Sequence, residues 1–152
     1  MDQVTTGAGE DQAEALRFAL RLGELPLFQP VLREAETFWS PDLPPAVVLL
    51  GSLGQTFAAG FHTLGSGSRQ WVANLIDRAM ESGSDYLQTV VATGFLEAVI
   101  HRAESDGTWP ALAAALGPQS RRFADDYRSH PFHGMDAEAA PVPDDRAPGM
   151  GM

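Results

Sequence analysis

Residues 84–103, SDYLQTVVATGFLEAVIHRA, hold their polar positions to one narrow stripe. Thr89, Thr93, Glu97, His101 and Glu104 recur at helical spacing, and nearly everything else on the circumference is apolar. A helix of this kind must be covered by other helices. The segment therefore predicts an all-α core with Asp85–Arg102 at its centre. Six or seven helices are expected, as an irregular bundle or as a HEAT-like stack of antiparallel helical hairpins.

The chain of 152 residues is long enough for one domain with a real core, and 44% hydrophobic residues is ordinary for a globular fold. It has no cysteine, which excludes thiol catalysis, disulfides and cysteine-ligated metal. Net charge is −10, with arginine as the only strongly basic residue type. Such a balance opposes nucleic-acid binding, because neutralising phosphates needs a basic patch. Around the densest basic spot, Arg121, Arg122 and Arg128, the acids Asp125 and Asp126 intervene. The first twelve residues lack the features of a signal peptide, and no apolar run reaches the roughly 20 residues of a membrane span. A cytoplasmic protein with no membrane partner is expected.

Along the chain, residues 1–9 read as a frayed N-terminus and residues 10–133 as a single helical domain. Residues 134–152 read as a disordered acidic tail rich in Pro, Gly and Ala. Helices are expected over Glu10–Leu22 and Pro26–Trp39, with Pro30 near the first turn of the second. SPDLPP at 40–45 is a rigid connector. AVVLLGSLGQTFAAGFHTLG at 46–65 reads either as one long buried helix or, in the preferred reading, with Ala46–Leu50 as a short extended or irregular entry. A helix then starts after Ser52, because Ser52 and Gln55 match a capping box and Gly51 and Gly54 weaken a continuous helix. It is expected to run to about Leu64. GSGS at 65–68 is a turn, with Ser68 capping an amphipathic helix to Ser82. Ser84 or Asp85 caps the central helix, with Gln88 completing the box. Thr108 caps a short helix to Leu116, and Gln119 to about His130 forms the last one.

Few chemical constellations emerge. Glu97 and His101, one turn apart, could form an acid–base pair or half a metal site; the plainer reading is the solvent-facing stripe of a buried helix. His130 and His133 resemble a loose H-x-x-H, with Asp125 and Asp126 nearby, but Pro131 keeps the two off one regular helix face. His62 is isolated. Ser52, Ser66 and Ser68 lack a nucleophile-elbow context, and GSLG and GSGS lack the G-K-[ST] of a phosphate loop. Trp39, Trp71 and Trp109 fall at core-like positions. No catalytic residue, cofactor or metal site is expected.

Three stretches carry a family resemblance: LPPAVVLLGSLGQTF, RQWVANLIDRAMESGSDYLQTVVATGFLEAV and WPALAAALGPQSRRFADDY. Over roughly residues 25–130 they resemble a family of small acidic all-α bacterial proteins. Its pattern runs from an L-P-P-x-V-V-x-x-G-x-L segment through an apolar helix ending in F-L-E to a terminal L-G-P-x-S-R. The matching motifs are caps, turns and core positions. The resemblance brings no catalytic residues, and it implies an immunity or accessory role in bacterial toxin systems.

The resulting expectation is a non-enzymatic protein-binding domain, an immunity protein neutralising a basic toxin domain. Charge complementarity would speed such an encounter. Asp77, Glu81 and Asp85, with Tyr86 as an aromatic anchor, are the expected contact surface. A helical-repeat adaptor is the alternative, and an enzyme using Glu97 and His101 a second one. The residues leave oligomeric state open.

Overall fold

The computed structural model describes residues 2–130, with side chains from Gly9 onward. Seven helices are present among them, and no strand. They are α1 (Asp2–Leu22), α2 (Gln29–Trp39), α3 (Ala46–Ala59), α4 (Ser66–Ser82), α5, α6 (Trp109–Ala115) and α7 (Pro118–Ser129). Helix α5 is continuous but not uniform: α-helical Asp85–Val90, π-helical Val91–Leu96, then α-helical Glu97–Asp106. Short 3-10 turns at Pro26–Phe28 and Phe61–Thr63 precede α2 and follow α3. The expected tail, the domain end at 133 and His133 lie outside the described residues. Among those described, no helix is long and apolar enough to cross a membrane.

The crossing of α3 and α5 organises the core. Leu50, Leu53 and Phe57 from α3 meet Val91, Phe95, Leu96, Val99 and Ile100 from α5, all essentially inaccessible to solvent. The Phe57 and Phe95 rings lie 6.0 Å apart. Backbone meets backbone where the helices cross. A Cβ on Gly54 would run into the Phe95 carbonyl oxygen, and one on Gly94 would sit 2.9 Å from that of Val47. The π-helical turn lies at this crossing and buries five of its six residues. Around this pair, α1 packs on both helices and α4 packs on α7. The main pairings thus skip along the sequence, which makes the fold an irregular bundle rather than a stack of consecutive hairpins.

Tertiary packing also decides between the two readings of α3, against the preferred later start. Ala46–Ala59 is one helix capped by Pro45, and Ser52 is an exposed residue in its middle, not a cap. Gly51 and Gly54 weaken an isolated helix, but here Gly54 permits the close approach to α5, and burial outweighs propensity. The helix ends at Ala59, short of the expected Leu64. Helix α1 extends to Asp2, beyond its expected start at Glu10, since lengthening a helix costs far less than nucleating one.

Caps refine the other boundaries. Ser84 Oγ accepts the Leu87 amide at 3.0 Å and donates to Glu14 Oε1 at 2.6 Å, tying the start of α5 to α1. The Gln88 side chain donates to the Gly83 carbonyl at 2.9 Å instead of closing a box. Gly107, at φ 74, ends α5 in the left-handed conformation that glycine adopts without strain. Helix α4 begins at Ser66, with Gly65 as cap, so Ser68 is not the cap. Its first turn is anchored by Arg69, which donates to the Phe61 carbonyl at 2.9 Å and stacks 4.1 Å over the Phe61 ring.

Candidate functional site

The polar stripe of α5 emerges as expected, with Thr89, Thr93, His101 and Glu104 exposed and Glu97 half-buried. His101 engages α7: its Nε2 lies 2.9 Å from the Tyr127 hydroxyl, with the rings edge to face. Burial, then the carboxylates of Glu97 and Glu104, push the Tyr127 phenol above its usual pKa, because each disfavours a phenolate. Glu104 also pairs with Arg128 at 2.6 Å, and Arg128 lies over the Trp109 ring. The His101–Glu104 end of the stripe thus meets α7, while Thr89 and Thr93 stay in solvent.

The expected acidic contact surface divides. Glu81 and Asp85 are exposed on either side of the Gly83–Ser84 turn, and neither forms an ion pair among the described residues. Asp77 is turned to α7, where its Oδ1 accepts the Ser120 amide at 2.9 Å. Tyr86 is half-buried against the core and does not project as an anchor. Only Glu81 and Asp85 of the four therefore present freely.

His130 Nδ1 lies 3.0 Å from the Asp126 carbonyl oxygen, a contact within one helical turn. Among the described residues no three His, Asp or Glu side chains gather as metal ligands would. His62, Ser52 and Ser66 are exposed and Ser68 is half-buried. Trp109 is buried and Trp71 packs against the core, but Trp39 does not belong to it.

Trp39 belongs to a surface that sequence reasoning missed. None of the eleven residues of α2 is buried, although Val31, Leu32 and Ala35 lean on the core. Phe38 is 76% exposed, Leu20 and Leu43 are also mostly in solvent, and Val47 and Val48 are a little under half exposed. Two recesses flank α2. One of about 330 Å³, on the α1 side, is lined by Leu16, Leu20, Leu32, Leu43 and Leu49, with Arg33, Glu36 and Asp42. The other, about 450 Å³, lies on the α3 side between Phe38, Trp39 and Val48, with Glu34 and Arg102. Ala35, Pro44 and Leu49 line both, so the apolar surface is continuous. One sequence signal for it existed. AVVLL at 46–50, once helical, points apolar side chains in every direction and cannot bury them all; Val47 and Val48 are those left outside.

No protein-family model matches this chain, and neither a curated protein nor a solved structure is significantly similar to it. The likeness drawn over residues 25–130 rests on its own motifs.

Proposed function

We propose that this chain is a non-enzymatic protein-binding domain whose contact surface is the apolar face formed by α1, α2, the 40–45 connector and the start of α3. The observation that carries this reading is α2 itself: a helix bearing Phe38 and Trp39 with no buried residue. Contiguous exposed apolar surface is costly in a free protein and marks interaction sites. Mixed charges border the two recesses, as in the polar rims of protein interfaces.

A photo-crosslinking residue at position 38, with a matched one at position 81, tests the assignment in the native host. Covalent adducts to a polypeptide from position 38, with few from 81, are expected. No adduct from position 38 would overturn the reading.

The exposed, unpaired Glu81 and Asp85 favour a second reading, an immunity-type role in which the acidic turn meets a basic toxin domain. With a chain charge of −10, long-range attraction would accelerate that encounter. Adducts from position 81 alone would move the contact surface to this turn. The two surfaces share no residue, so one does not preclude the other.

A further inference from the structure

We propose that the recess on the α3 side of this face binds an extended, proline-rich segment of the partner protein that carries a basic residue. The inference rests on the reading of the face as a docking surface.

This recess of about 450 Å³ is rich in unused hydrogen-bond donors. Ser52, Gln55 and Thr56 line it in one row from α3, and Trp39 lines it from α2. None of these four side chains has a hydrogen-bond partner among the described residues. Helical hydroxyls elsewhere in the chain donate to the carbonyl four residues back: Ser82 at 3.1 Å, Thr93 at 2.8 Å and Ser129 at 2.8 Å. Ser52 and Thr56, also inside a helix, leave that bond unmade. The recess on the α1 side differs, since its polar members, Arg33, Glu36 and Asp42, are all charged.

Those donors decide what can cover the recess. The apolar face of a helix, whose backbone groups are already paired, would bury them with no acceptor, which is unfavourable. An added strand needs a sheet edge, and the described residues hold no strand. A proline-rich segment in the polyproline conformation leaves its backbone carbonyls unpaired, and its prolines have no N–H to satisfy. Such carbonyls can accept from Ser52, Gln55, Thr56 and the Trp39 indole. The Phe38 and Trp39 rings, edge to face at 5.4 Å, supply the aromatic wall against which proline rings pack.

Charge selects among such segments. Arg102, at this recess, is held by Asp106 at 2.9 Å. Glu34, one turn before Phe38 on α2, lines the same recess and forms no ion pair among the described residues. The charge left for a partner is therefore negative, in a chain of net charge −10. An arginine or lysine beside the prolines pairs with Glu34, and the field of the whole chain draws such a segment in.

Titration of the isotope-labelled full chain with synthetic peptides, followed by NMR, is the test. The probe is an oligoproline peptide with a terminal arginine. It is expected to shift the Trp39 indole N–H and the Gln55 side-chain amide saturably, whereas a glycine–serine peptide with the same arginine leaves them unmoved. Gln55→Ala, at an exposed site, should keep the melting temperature and weaken binding of the probe by about three- to tenfold, the worth of one hydrogen bond. Glu34→Gln should abolish the advantage of the arginine-bearing peptide over plain oligoproline. No saturable shift with the probe overturns the proposal, and so do equal shifts with the glycine–serine peptide or undiminished binding by Gln55→Ala. An arginine preference that survives Glu34→Gln overturns the pairing of a basic residue with Glu34. Adducts from position 38 that map to a helical segment of another protein would overturn the proline-rich occupant and leave the docking surface standing.

Discussion

Asp77 Oδ1 accepts the backbone amide of Ser120 at 2.9 Å, so a carboxylate on α4 caps the first turn of α7 from 43 residues away. The cap residue of α7 is Gly117, which has no side chain to do this. Nor could it have one: a Cβ there would lie 2.7 Å from Asp77 Oδ1. Helix cap and glycine form one device, and the negative charge also complements the N-terminal end of the α7 dipole.

Asp77→Ala should therefore destabilise the fold by about 1–2 kcal/mol, as loss of an N-cap acceptor does. Glu81→Arg, on the open side of the same helix, should change stability by less than about 0.5 kcal/mol. Urea unfolding of the two variants checks this, and equal stabilities would mean that the Asp77 contact contributes nothing.

Ser120 is fully buried, and its hydroxyl has no hydrogen-bond partner among the described residues. An unpaired buried hydroxyl is a liability, so Ser120→Ala is expected to be neutral or to stabilise by up to about 1 kcal/mol. A clear fall in melting temperature would show that the hydroxyl is bonded after all.

At the α3–α5 crossing, Gly54→Ala should cost about 1–3 kcal/mol, because the new methyl meets backbone that cannot rotate away. Phe95→Ala, which removes the buried ring beside Phe57 at the same crossing, should cost about 3–5 kcal/mol. The control is Gly67→Ala in the first turn of α4, where a Cβ meets nothing within 4 Å. It should stabilise by about 0.5–1 kcal/mol through helix propensity and a less flexible unfolded chain. If both alanines at glycine sites behave alike, the backbone contact is not as close as described.

Tyr127 sets a pH dependence. Its folded pKa lies above the ordinary value near 10, so the unfolded chain releases this proton first. The stability it confers is complete below that ordinary value and is lost as pH climbs through the raised one. Tyr127→Phe should cost about 0.5–1.5 kcal/mol at neutral pH, for the His101 hydrogen bond, and should lessen the alkaline decline. Denaturation midpoints measured across the alkaline range would show it; an identical decline in both proteins would assign the effect to other groups.

What was legible in the sequence followed from periodicity and local chemistry. The apolar surround of Thr89, Thr93, Glu97 and His101 made α5 central, because a helix with so narrow a polar stripe has to be enclosed. Ser84 marked the start of α5 through cap chemistry that acts within a few residues, whereas its end, expected at Arg102, lies at Asp106. All of these signals are short in range, so the chain alone determined an all-α core and most of its helices.

Distance along the chain hid the rest. Gly51 and Gly54 read as weakening a helix until α5 lay against α3, where the missing side chain of Gly54 is what permits the contact. Asp77 read as a surface acid until Ser120 arrived to receive it. Trp39 read as a core position from its helical spacing, but a pattern cannot state whether anything covers it. Burial is a relation between residues remote in sequence. Only the tertiary packing decided that α3 would be enclosed and that the Phe38 end of α2 would stand open to solvent.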